Sequence, residues 1–155
     1  LNGQAQADSP ELVALHDPRL GHRARDGPAH GGQQGGTAGQ EDGVHLITAE
    51  VAANDPARAR GLMFRERLGP NQGMLFVFDA KTVQCMWMRN TLIPLSVAFI
   101  EDDGSIVNIE DMQPKNESSH CATRPVRFAL EMEQGWFAKR GIKPGARLAG
   151  LPAPR

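Results

Sequence analysis

Leu95-Ser96-Val97-Ala98-Phe99-Ile100 runs through Glu101-Asp102-Asp103-Gly104 into Ser105-Ile106-Val107-Asn108-Ile109, and this stretch decides the fold class. Both flanks are rich in β-branched and aromatic residues, which fit a pleated, half-buried surface. Asp102, Asp103 and Gly104 tolerate the positive φ that a tight reversal needs, so the whole reads as a β-hairpin.

Moving outward, Val126, Phe128, Leu130 and Met132 alternate with Arg127, Ala129, Glu131 and Glu133, the period-2 pattern of a strand with one face on the core. Met74-Leu75-Phe76-Val77-Phe78 is a continuous apolar run of buried-strand length, preceded by the turn cluster Gly69-Pro70-Asn71-Gln72-Gly73. Residues 45–51, 82–88 and 146–149 supply further strands, with Pro94 confined to a strand start or an edge. Asp55 before Pro56 predicts a capped helix over residues 56–63. Residues 134–140, ending in Lys139-Arg140-Gly141, predict a second. About six short strands and two helical turns predict a mainly β domain, a jelly-roll-like sandwich or small barrel with one or two short helices.

The composition narrows the function classes. The 155 residues carry 17 Lys and Arg against 18 Asp and Glu, a formal charge of -1, with no basic run to neutralise a row of phosphates. Nucleic acid is therefore not an expected partner. No apolar stretch approaches the roughly 18 to 20 residues of a membrane-crossing helix, and a monomer without cofactor is expected. A chain of this length is the usual size of one domain, placed at residues 43–150 with a short tail at 151–155.

Residues 8–42 contain no aromatic side chain, a single β-branched aliphatic (Val13) and the Gly-rich run 30–36. They cannot bury enough apolar surface to offset their ordering entropy, and read as a flexible leader. His16, His22 and His30 within it read as solvated rather than as metal ligands. Ala5-Gln6-Ala7 before Asp8 fits the small-x-small pattern at which signal peptides are cut, so residues 1–42 are expected to be a signal-peptide remnant and leader of an exported protein. The two cysteines, Cys85 and Cys121, agree with export: an even pair in an oxidising compartment is most simply a disulfide. Two reduced thiols packed as small hydrophobes are the alternative.

The segment Cys85-Met86-Trp87-Met88-Arg89-Asn90-Thr91 is the most unusual in the chain. One reading places Met86 and Met88 in the core, with Asn90 and Thr91 tying down a turn. The other places Trp87 and Asn90, with Arg65, around a shallow cleft for a sugar or peptide, since an aromatic face with amide and guanidinium donors suits either. Met63, Met86, Met88, Met112, His120 and Cys121 would suit a soft metal such as copper if they converged, but a disulfide would remove the thiolates. Asp111 and Glu131 would be the acidic pair of a carbohydrate hydrolase only if the fold brought them face to face.

Arg60-Gly61-Leu62-Met63-Phe64-Arg65, Gly73-Met74-Leu75-Phe76-Val77-Phe78, Trp87-Met88-Arg89-Asn90-Thr91, Ile93-Pro94-Leu95 with Ala98-Phe99-Ile100, and Ala129-Leu130-Glu131 with Gly135 together resemble the domain of unknown function 192 family, DUF 192, also called UPF 0127. The resemblance spans residues 44–148. It implies a mainly β, jelly-roll-like domain, often behind a signal peptide or anchor in the bacterial envelope, and no defined activity. Carried over by position, Arg65, Trp87, Asn90, Thr91 and Glu131 are the polar or aromatic members of the family blocks and the expected ligand-binding residues. Ser96 departs from the pattern, standing where the family usually has Asp after Pro-Leu. The expected function is a non-catalytic periplasmic or envelope module that binds a glycan or peptide, with a copper or redox role and a cell-wall hydrolase as alternatives.

Overall fold

A computed structural model describes residues 8–16 and 43–152 of the chain. Its strands are β1 (Asp8–His16), β2 (Val44–Ala52), β3 (Gln72–Thr82), β4 (Cys85–Met86), β5 (Leu95–Ile100), β6 (Ile106–Met112), β7 (His120–Cys121), β8 (Val126–Glu133) and β9 (Arg147–Ala149). Two short helices, α1 (Asp55–Arg60) and α2 (Trp136–Lys139), complete the set. Seven strands form one sheet in the order β6-β5-β8-β3-β2-β1-β9, and β4 pairs with β7 in a separate two-stranded piece.

The hairpin predicted at residues 95–109 is present as β5 and β6. Gly104 lies at its turn with φ 88° and does a second job. The Leu148 amide donates to the Gly104 carbonyl at 2.8 Å, and Ile106 donates to Ala146 at 2.9 Å, so β9 at one edge of the sheet meets the start of β6 at the other. The sheet therefore curls into a half-barrel, the barrel member of the expected pair of architectures. A Cβ on Gly104 would collide with the Leu148 carbonyl oxygen, so this seam requires glycine.

The leader expectation fails at its start. Residues 8–16 form β1, which pairs antiparallel with β2 and with β9. Val13 and Leu15 are buried there, while Leu12 remains 64% exposed. Two buried aliphatics spaced by two suffice for a strand when neighbouring strands supply the rest of the core, a contribution that composition averaged over residues 8–42 conceals. The expected signal-peptide site at Ala5 to Ala7, the rest of the leader with His22 and His30, and the last tail residues lie outside the described residues.

β2 and β3 run parallel, so no hairpin can join them and the chain must cross over. α1 and the loop after it make that crossover. The cap lies one residue earlier than expected: Asn54 Oδ1 accepts from the Ala57 amide at 2.9 Å, and the helix ends at Gly61, with φ 49°. Gly61 lies against the Phe76 ring, 3.2 Å from where a Cβ would sit.

The crossover splits the apolar interior into two layers. Inside the curl are Leu15, Ile47, Leu75, Ala98, Phe128, Leu130 and Phe137. On the other face of β3, β5 and β8 lie Met74, Phe76, Val97, Phe99 and Ala129, covered by Leu62 from the crossover and Met88 from the segment after β4. β8 is consequently buried on both faces from Phe128 to Met132, not on one face as its alternation suggested. The covering layer is called the flap below.

Candidate functional site

The flap has two parts, held together through backbone. The Phe64 amide donates to the Asn90 carbonyl at 2.9 Å, and both residues adopt left-handed backbone, with φ 64° and 53°. That conformation is uncommon outside glycine and sterically costly for a bulky side chain such as Phe, so it persists only where the surroundings fix it. The Cys85–Cys121 disulfide joins β4 to β7 at paired register positions, and the Met88 amide donates to Asn116 at 2.8 Å.

Between flap and sheet lies an open cleft of about 300 Å³. Its walls are apolar and soft: Met63 and Met86 from the flap, Phe76 and Phe78 from β3, and Trp87 at the rim. The Trp87 ring is 46% exposed, and the Arg89 guanidinium sits 5.5 Å from its centroid, within cation–π range. Arg58, Arg60 and Arg89 also line the cleft. Arg58 is held by Asp55 at 2.6 Å, by Asp79 at 3.1 Å and by the Val77 carbonyl at 2.8 Å. Arg89 reaches only Glu117, at 3.8 Å, and Arg60 has no ion-pair partner among the described residues.

At the base lies Glu131. It sits mid-strand on β8, opposite Met74 of β3 and Val97 of β5, and is 4% exposed. Its side chain makes no hydrogen bond or ion pair within the described residues. Burial without compensation disfavours the charged form and pushes this carboxyl up to about 8. At neutral pH Glu131 is therefore mostly the uncharged acid, with a proton to donate.

The chain matches the DUF192 family model, described as "Uncharacterized ACR", over residues 37–150. The chain belongs to the DUF192 family. A crystal structure of a Sinorhizobium meliloti 1021 protein, described as a "putative transcription regulator", is 32% identical with a TM-score of 0.77, covering 96% of this chain and all of that one. A Novosphingobium aromaticivorans protein of unknown function is 29% identical with a TM-score of 0.72, covering 90% of this chain and 84% of that one. No curated protein matches the chain.

In this DUF192 domain the five expected site residues divide. Trp87, Thr91 and Glu131 line the cleft together. Arg65 does not line it: its guanidinium makes paired 2.9 Å hydrogen bonds to both oxygens of Glu50. Asn90 does not line it either, and serves through its left-handed backbone. The hydroxyl of Thr91 donates to the Arg89 carbonyl at 3.2 Å, so Thr91 also shapes the turn as the core reading required.

Asp111 and Glu131 are not a pair. Asp111 lies in a second cleft lined by Ser96, Gly135 and Phe137, where it accepts the Ser96 hydroxyl at 2.6 Å while Ser96 accepts the Gly135 amide at 3.0 Å. The disulfide takes Cys121 out of any soft-metal set. No group of three or more His, Cys, Asp or Glu side chains is placed to hold a metal among the described residues, and no described helix is long and apolar enough to cross a membrane. Sequence reasoning missed Arg58, Arg60 and Arg89 as lining residues. The signal was present, since a crossover between parallel strands must lie on a sheet face and Arg58 and Arg60 belong to it.

Proposed function

We propose that this DUF192 domain is a non-catalytic binding module of the bacterial envelope, whose cleft between flap and sheet accepts one inserted group of a larger ligand. The observation that carries the proposal is Glu131: a buried carboxyl without a partner is costly, and it stands on the wall of an open cleft where an incoming group would complete it. Unpaired polar groups of this kind, in a concave apolar site, are a common mark of ligand binding. A peptide suits the walls better than a glycan, because Met63, Met86, Phe76 and Phe78 offer soft apolar surface for a side chain and few of the convergent hydroxyl partners a sugar needs. The disulfide supports residence in an oxidising compartment.

A cell-wall hydrolase is the second reading, favoured by the same residue, since a carboxyl kept protonated at neutral pH is what general-acid catalysis requires. It is the weaker one, because among the described residues Glu131 is the sole carboxylate lining its cleft. A transcription role draws no support from the surface, where Arg58, Arg65, Arg124, Arg127 and Arg147 each stand against a carboxylate.

The test is NMR titration of isotope-labelled protein with short peptides and with peptidoglycan fragments. Binding at the cleft is expected to shift the Trp87 indole and the amides of Arg89 and Thr91 while leaving the Trp136 indole in place. A folded protein whose Trp87 signal moves with neither ligand class would sink the proposal.

A further inference from the structure

Resting on that reading, we infer that the ligand is an acidic peptide, bound with a neutral carbonyl accepting a hydrogen bond from Glu131 at the base of the cleft and a carboxylate meeting Arg60 and Arg89 at its rim. The geometry orders these groups by depth. Glu131 is buried, whereas Arg60 and Arg89 are exposed on the same cleft. The strands flanking Glu131 present Met74 and Val97, so the sheet brings no charge to the base. From the flap come Arg58, Arg60 and Arg89, together with Cys85, which is locked in the disulfide. His120 faces Met86 across β4 and β7 and does not line the cleft. The charged lining is thus three guanidiniums and one buried acid.

A lysine or amine entering this cleft would pass those guanidiniums before reaching Glu131, and like charges at short range oppose entry. A carboxylate at the rim finds Arg60 without a described partner and Arg89 against the Trp87 face with its described carboxylate, Glu117, at 3.8 Å. Arg58 is already engaged by two carboxylates and adds little attraction of its own. The acid form of Glu131, which burial favours, supplies a donor that a backbone or amide carbonyl can accept.

Three sets of acetylated, amidated pentapeptides of equal length, bearing Asp and Glu, no charge, or Lys, are titrated against the full chain by NMR and calorimetry at pH 6 and pH 9. The acidic set is expected to bind most tightly. Its affinity should fall roughly tenfold from pH 6 to pH 9 as the Glu131 proton is lost. Glu131→Gln keeps a donor and should bind at both pH values with that dependence gone, while Arg60→Ala should narrow the gap between the acidic and uncharged sets severalfold.

Opposite signs overturn the inference. Lys peptides that bind more tightly as pH rises, and lose binding in Glu131→Gln, would make the ligand an ammonium. Equal binding of the acidic and uncharged sets would remove the role of the rim. If no peptide binds but peptidoglycan fragments shift Trp87, the inference falls and the binding module stands. If neither shifts Trp87, both fall.

Discussion

Two clefts of this domain each contain a buried polar side chain on a strand, and they treat it in opposite ways. Ser96, 1% exposed, donates to Asp111 and accepts from the Gly135 amide. Its hydroxyl is complete and ties the entry of α2 to β5. Glu131, 4% exposed, has no such partner. A satisfied buried polar group specifies structure, and one left without a partner is a cost that calls for an explanation. On the proposed reading this difference, and not size, marks the Glu131 cleft as the one that takes a ligand, for the Ser96 cleft, at about 510 Å³, is the larger.

The largest expected effect concerns pH. The folded-state pKa of Glu131 is raised to about 8 from an ordinary value of 4.5, so between those values the folded state holds a proton that the unfolded state has released. Its contribution is fully present below about pH 4.5 and is lost as pH rises through 8. Linkage puts the loss on the order of 4 kcal/mol. Urea unfolding from pH 5 to pH 9 should show that decline in the wild type and a nearly flat profile in Glu131→Gln. The same scan on Ser96→Ala should retain the wild-type slope, because the Ser96 cleft does not contribute to it.

Next comes the flap that buries Glu131. Replacing Cys85 and Cys121 together by Ser opens a loop with a sequence separation of 36, which in the chain-entropy model costs about 3 to 4 kcal/mol. Thermal unfolding measures the loss. As water gains access, the Glu131 titration should also move back toward the ordinary carboxylate range.

Ser96→Ala tests the other half of the comparison. It leaves the Gly135 amide and Asp111 without their hydroxyl, and should cost about 1 to 2 kcal/mol in urea unfolding while leaving ligand binding at Trp87 intact. Trp87→Ala is the mirror image and the smallest in stability. Half-exposed and outside the packed layers, Trp87 should cost roughly 0.5 kcal/mol or less, yet its removal should abolish or strongly weaken peptide binding in the NMR titration.

What could be read from the sequence follows from where the physics is local. The hairpin at β5 and β6 was legible because Asp102-Asp103-Gly104 encodes its own reversal, and β8 because its apolar residues alternate. The buried outer face of β8 was not, since a strand does not carry a record of what a crossover far earlier in the sequence will lay upon it. Glu131 therefore read as one polar residue in a family block, and only the covering by Leu62 and Met88 makes it exceptional. Trp87 and Thr91, which line the cleft, stood out because the segment that holds them is unusual by itself. That Arg65 lies away from this cleft was not legible, for the converse reason: its partner Glu50 lies 15 residues earlier, on β2, and no local pattern pairs them. β1 escaped notice because its two buried aliphatics acquire meaning only beside β2 and β9.

The most direct test of the account is the carbon-detected NMR titration of the Glu131 carboxyl in the intact, ligand-free protein. A midpoint near pH 8 is predicted, moving upward when a carbonyl of an acidic peptide accepts the hydrogen bond of the protonated carboxyl. A midpoint in the ordinary carboxylate range, near 4.5, would mean that water or a protein donor already completes the group, and would contradict the claim that Glu131 awaits a ligand.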